Sequence, residues 1–200
     1  MESPTDTITI RLKKNQINEL KAIAETKNIS LNTLFVQLLR HHLEVDTHYD
    51  KFDWVKIPKD MFIQKMKKLT TPEIIIMGKK LSDEFAVDFI LTKWRKISND
   101  TVLKFIKLFI KENSLGHCKI SDHEKGTIIS IHHTMGKKSS KLFSVLIQNL
   151  FLDQLNKETS SDITNNFVLI KIPHNKHYKI QTKTPSDIKY TWYKSSFKKN

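Results

Sequence analysis

Cysteine is nearly absent from this 200-residue chain, with Cys118 standing alone. No disulfide within one molecule can brace the fold, and a reducing compartment is the expected setting. Long apolar runs are missing too: none approaches the roughly 20 residues needed to span a bilayer, and the first residues lack the basic and apolar regions of a secretory signal. A cytoplasmic protein without a membrane partner is expected. No internal repeat is present. There is no pair of carboxylates, and no nucleophile and base, at a recognisable catalytic spacing, so an enzyme is not expected. The nearest approach to a phosphate-binding loop is Gly136-Lys137-Lys138-Ser139-Ser140, but that loop needs Gly at position 131 and a hydroxyl at 138, where the chain has Ile131 and Lys138. Nucleotide hydrolysis is not expected on that ground, although a helix start carrying two lysines can attract a small anion.

Negative charge is in short supply. The chain has 34 Lys and Arg against 21 Asp and Glu, a formal net charge of +13, which points to a polyanionic partner. The excess is unevenly placed. Residues 1–46 hold six basic and six acidic side chains, residues 47–156 hold 19 and 12, and residues 157–200 hold nine and three. Either the later regions touch that partner's negative groups directly, or they reflect a lysine- and isoleucine-rich genome.

The most organised signal lies at the start. Thr7, Thr9 and Arg11 alternate with Ile8, Ile10 and Leu12, which sends the two sets to opposite faces of a strand. A first helix is predicted from about Asn15 to Thr26, with Ile17, Leu20, Ile23 and Ala24 on one face. Asn28 suits a left-handed helix end, and Ser30 suits the N-cap of a second helix. That helix carries a broad apolar stripe of Leu31, Leu34, Phe35, Leu38, Leu39, His42 and Leu43. A lone strand leaves its backbone groups open, and residues 7–43 fall short of the roughly 40 at which a domain builds its own core unaided. Pairing with a second copy is therefore expected.

Over residues 6–44 the pattern T-I-T-I-R-L, L-K-K-N-Q-I-N-E-L-K-A-I-A, T-K-N-I-S and L-N-T-L-F-V-Q-L-L-R-H-H-L resembles the ribbon-helix-helix family, which contains the Arc, MetJ and CopG repressors. Two positions depart from it: Lys13 stands where many relatives start the first helix with Ser, Asp or Pro, and Asn28 where many have Gly. The resemblance implies an antiparallel ribbon formed by two chains and inserted in the DNA major groove, where each base pair shows a distinct donor and acceptor pattern. Carried over, it makes Thr7, Thr9 and Arg11 base-contacting. The amides near Ser30 and Leu31 would hold a phosphate, with Lys13 and Lys14 adding charge along the backbone.

The remaining residues read as a linker at 47–57, a separate mainly helical α+β domain at 58–157 and a basic, partly disordered tail at 158–200. Helices are predicted at Asp60–Leu69, Ser82–Lys96 and Asn99–Asn113, then a hairpin of His117–Ile120 and Thr127–His132, and a long helix from Lys138 to Asn156. A short strand is expected at Phe167–Ile172. Tyr190, Trp192, Tyr193 and Phe197, interleaved with lysines in the tail, have the composition of a single-strand stacking surface. His117, Cys118, His123, His132 and His133 flank the hairpin and are candidate ligands for nickel, copper or zinc. A metal-responsive member of the ribbon-helix-helix family uses His-x-His on a strand, however, whereas His132 and His133 are adjacent and should face opposite ways.

The sequence thus leads to an α+β protein that acts as a homodimeric, sequence-specific transcriptional regulator. Double-stranded DNA is its expected partner, no cofactor is required, and the later domain serves as a sensor or a further oligomerisation unit. Two alternatives remain at this stage: an antitoxin or adaptor that binds its own operator and a partner protein, and an architectural protein that coats DNA without sequence preference.

Overall fold

The computed structural model describes residues 6–47, 52 and 57–174. The chain divides into two compact units, Met1–Trp54 and Val55–Asn200; the secondary structure described in the first is helical, and the second adds a four-stranded sheet, so that the described residues as a whole are α+β.

In the first unit, α1 spans Lys14–Thr26 and α2 spans Leu31–His41, the latter continuing through a wider π turn at His42–Asp46. The start of α1 is fixed locally: the Lys13 amide donates to Gln16 Oε1 at 3.1 Å, so the side chain three residues on closes over the N-cap amide, as in the return half of a capping box. Asn28 takes the left-handed conformation, φ +53°, and the Ile29 amide reaches back to the Ala24 carbonyl at 3.0 Å, closing the helix end. Ser30 Oγ accepts from the Thr33 amide at 3.0 Å, the N-cap expected of it.

In the second unit, α3 (Lys59–Lys68) and α4 (Thr71–Lys80) precede a π turn, Leu81–Ala86, that runs into α5 (Val87–Trp94). After α6 (Asn99–Glu112) come β1 (His117–His123), β2 (Gly126–His132), α7 (Lys137–Leu155), β3 (Ser160–Ile163) and β4 (Phe167–Pro173). The four strands form one antiparallel sheet in the order β1-β2-β4-β3. Period two decides its faces. Ile129 and Ile131 of β2 stand in register with Ile170 and Val168 of β4, and all four are fully buried. α7 supplies the opposing layer through buried Phe143, Leu146, Ile147, Leu150 and Phe151. A second cluster forms around Phe85, Phe89, Phe105 and Phe109, whose neighbouring rings lie 5.5–6.0 Å apart at tilted or stacked angles. A third joins Met66, Ile74 and Leu142 under Phe62, Leu69, Met77 and Leu81.

Two expectations need correction. The helix placed at Ser82–Lys96 is preceded by α4, whose start is marked by a capping box: the Thr70 amide donates to Glu73 Oε2 at 2.7 Å, with Pro72 in the first turn. The tail assigned to 158–200 is part of the fold as far as residue 174, because β3 and β4 complete the sheet. The stacking residues Tyr190, Trp192, Tyr193 and Phe197 lie outside the described residues.

One close approach carries a prediction. A Cβ added at Gly78 of α4 would lie 2.8 Å from Val145 Cγ1 and 3.3 Å from the Leu142 carbonyl of α7. The two helices meet at a distance that a side chain would prevent. Gly78→Val should therefore destabilise the second unit by about 1 to 3 kcal/mol through overpacking, read as a lower thermal midpoint with unchanged helix content.

Candidate nucleic-acid interface

Residues 7–12 form neither helix nor strand in the single chain. A strand requires a ladder partner, and no described residue of the first unit belongs to a strand. Thr7, Thr9 and Arg11 are exposed, as the base-contacting role implied by the resemblance requires. Ile8 and Ile10 on the opposite face are 80% and 53% exposed, so the apolar face of this segment has no cover within one molecule.

The same holds for α2. Of the predicted stripe, Leu34 is buried and Leu31 and Phe35 are half-buried, while Leu38, Leu39 and Leu43 are exposed at 46%, 50% and 65%. His42 departs from the stripe: its Nδ1 lies 3.3 Å from Asp46 Oδ2 on the surface, and His41 Nε2 lies 3.5 Å from Asp46 Oδ1. Within the described residues of this unit, Ala24, Leu34 and Val45 are the buried apolar side chains. Three such groups are far too few to offset the conformational entropy of folding, about 1 to 2 kcal/mol for each ordered residue.

The proposed phosphate contacts fall around the entry to α2 and the start of α1. Because Ser30 Oγ occupies the Thr33 donor, helix geometry leaves the Leu31 and Asn32 amides at the N-terminus to face an outside acceptor. Lys13 and Lys14 are exposed at the start of α1, directly after residues 7–12.

The candidate metal ligands are not brought together. His117 and His132 are cross-strand partners on the outer face of the sheet, where the His132 ring lies 4.5 Å from that of Phe167. Cys118 points to the opposite face, and burial pushes its thiol up to about 11, away from the thiolate that binds metals. His123 sits at the far end of β1, about 20 Å from His117 at the strand rise. His133 lies just beyond β2 and is 5% exposed. Its Nδ1 accepts from the Met135 amide at 3.1 Å, and its Nε2 lies 2.8 Å from Ser140 Oγ, so both ring nitrogens are engaged. Ser140 Oγ in turn donates to the Asn165 carbonyl at 3.4 Å, tying the start of α7 to the β3–β4 turn. Among the described residues, no group of three or more His, Cys, Asp or Glu side chains is placed to hold a metal ion.

Lys138, the residue that breaks the phosphate-loop pattern, has a structural task. Its Nζ donates to the Lys67 and Leu69 carbonyls at 2.7 and 2.6 Å, covering the exposed C-terminal end of α3. No described helix is long and apolar enough to cross a membrane. In comparisons with known proteins, no family model, no curated protein and no solved structure matches the chain.

Proposed function

We propose that this chain is a cytoplasmic, homodimeric, sequence-specific DNA-binding regulator of transcription. In this reading residues 7–12 of two copies pair as an antiparallel ribbon, and the first unit has the ribbon-helix-helix architecture. The observation that carries it is the apolar surface left open on one chain: Ile8 and Ile10 ahead of α1, Leu38 and Leu39 of α2, and Leu43 in the π turn that continues it. A second copy covers both sets at once. Its residues 7–12 complete the hydrogen-bond ladder and its α2 packs on the exposed stripe. That pairing turns Ile8, Ile10 and Leu12 inward and presents Thr7, Thr9 and Arg11 on the outer face of the ribbon.

Each exposed residue then has a distinct role. Arg11 offers a forked donor suited to the O6 and N7 acceptors of guanine, and the threonine hydroxyls can donate to or accept from base edges. The Leu31 amide, at the start of α2 beside the Ser30 cap, holds a backbone phosphate and fixes the register, while Lys13 and Lys14 add sequence-independent attraction. Two ribbon segments related by a two-fold axis read a palindromic or repeated site.

The direct test of the assigned register is Arg11→Ala on a selected DNA site. Loss of one good base contact, about 1 to 3 kcal/mol, should raise the Kd roughly 5- to 150-fold, with binding to random DNA far less affected. Equal affinity of wild type and variant for the site would overturn the register.

A further inference from the structure

We propose that the corner where α3 ends and α7 begins carries a second DNA contact, in which Lys65, Lys67, Lys68 and Lys137 hold the phosphate backbone of duplex DNA without reading its sequence. The proposal rests on the regulator reading above, and it adds a site in the second unit.

The clustering is imposed by the fold. Lys65, Lys67 and Lys68 occupy the last turn of α3, and Lys137 and Lys138 open α7, almost 70 residues later. The two hydrogen bonds from Lys138 Nζ to the Lys67 and Leu69 carbonyls fasten these runs side by side. With Lys138 engaged in that clamp, the other four side chains are exposed, and among the described residues none of them forms an ion pair.

Local charge is only partly compensated. Glu73, whose Oε2 accepts from both the amide and the hydroxyl of Thr70, each at 2.7 Å, as the cap of α4, places one carboxylate charge near Lys65 and Lys138. The first turn of α7 contains no acidic residue, and two lysines stand where the helix dipole already places positive charge. Helix stability favours acids at that end, so Lys137 and Lys138 stand against the dipole of α7, while Lys65, Lys67 and Lys68 are held at the favourable C-terminal end of α3. Four lysines on flexible stems, spread over two helices and an open surface, match a row of phosphates better than one enclosed anion. Backbone contact of this kind adds affinity and salt dependence but no selectivity.

The experiment uses the full chain and two probes, a random-sequence duplex and a site selected from genomic fragments. The variants are Lys65→Gln/Lys67→Gln/Lys68→Gln/Lys137→Gln, with Lys138 retained to preserve the clamp, and Arg11→Ala. On the random duplex, the slope of log Kd against log salt should fall by about 0.9 for each lysine that meets a phosphate, roughly 2 to 4 in all for the quadruple variant. The ratio of site to random affinity should stay as in wild type. An unchanged slope, with native circular dichroism, overturns the proposal, whatever the site preference. Absence of site preference in wild type and Arg11→Ala alike counts against the regulator reading instead, while the random-duplex slope still decides the lysine corner.

Discussion

Replacing Leu39 and Leu43 together by glutamate should convert the protein to a monomer at micromolar concentration and abolish site-specific DNA binding. Both side chains are at least half exposed on one chain, at 50% and 65%, and both lie on the face of α2 and its π-turn extension assigned to the partner. Fully burying a leucine contributes about 1.5 to 3 kcal/mol, so four leucines across a two-fold interface represent a large share of the association energy. Glutamate removes that contribution and adds a carboxylate whose burial without a partner costs several kcal/mol more, or about tenfold in Kd for every 1.4 kcal/mol. Sedimentation velocity would report the monomer. Thermal unfolding should show the second unit intact, because its core is separate from these residues. A dimer that persists with site preference intact would place the interface elsewhere.

A second large effect concerns acid stability. Burial pushes His133 down from its ordinary value of 6.5 to about 4, assisted by the positive charge of Lys59 and by neighbouring His132. The hydrogen bonds agree with a neutral ring: Nδ1 accepts from the Met135 amide, so Nε2 carries the proton and donates to Ser140 Oγ. Protonation at Nδ1 would break the first bond and leave a charge beside Phe143, whose ring lies edge-on at 5.4 Å. Between pH 6.5 and 4 the unfolded chain binds a proton that the folded chain refuses. Stability from this residue is therefore complete above pH 6.5 and is lost as pH falls toward 4, by about 3 kcal/mol over the window.

Asp83 and Asp88 act in the opposite sense. Burial raises both carboxyls, followed by the charge of Asp153 in the first case and of Glu84 in the second. A raised carboxyl contributes most at low pH and loses that contribution as pH rises through its folded value. The His133 effect is thus best read as a difference: urea unfolding of wild type against His133→Gln at pH 7 and pH 4.5. The wild type should lose most of its advantage over the variant at the lower pH. A gap that stays constant would show that His133 does not titrate in that window.

Much of the fold was legible because local signals agreed with long-range packing. Asn28 and Ser30 end one helix and cap the next as their side-chain chemistry requires, and α6 and α7 fall within a residue or two of their apolar spacing. The Phe167–Ile172 strand appears as β4 because its alternate side chains fit the buried face of β2. α4 was missed because Ile74-Ile75-Ile76 has no helical stripe; the Thr70–Glu73 capping box was the available signal. β3 is four residues of mixed character whose order comes from pairing with β4, a tertiary constraint that its own sequence hardly displays.

The site was legible to a different depth. Chain pattern picks out Thr7, Thr9 and Arg11 as one face of an extended segment, but the ladder that would make it a ribbon requires a second chain. The histidine group looked compact along the sequence because a hairpin brings its strands together, yet register and pleat send its members to different faces and ends of the sheet. The lysine corner lay hidden because Lys67 and Lys138 meet only through the packing of α3 beside α7.

The most direct test of the proposed function is selection of fragmented genomic DNA by the full-length protein at near-physiological salt, followed by sequencing, with Arg11→Ala run in parallel. A regulator of this kind should enrich a small set of fragments sharing a palindromic or repeated motif, and Arg11→Ala should lose that enrichment while retaining weak binding to bulk DNA. Uniform recovery of all fragments by both proteins would contradict sequence-specific recognition by the first unit.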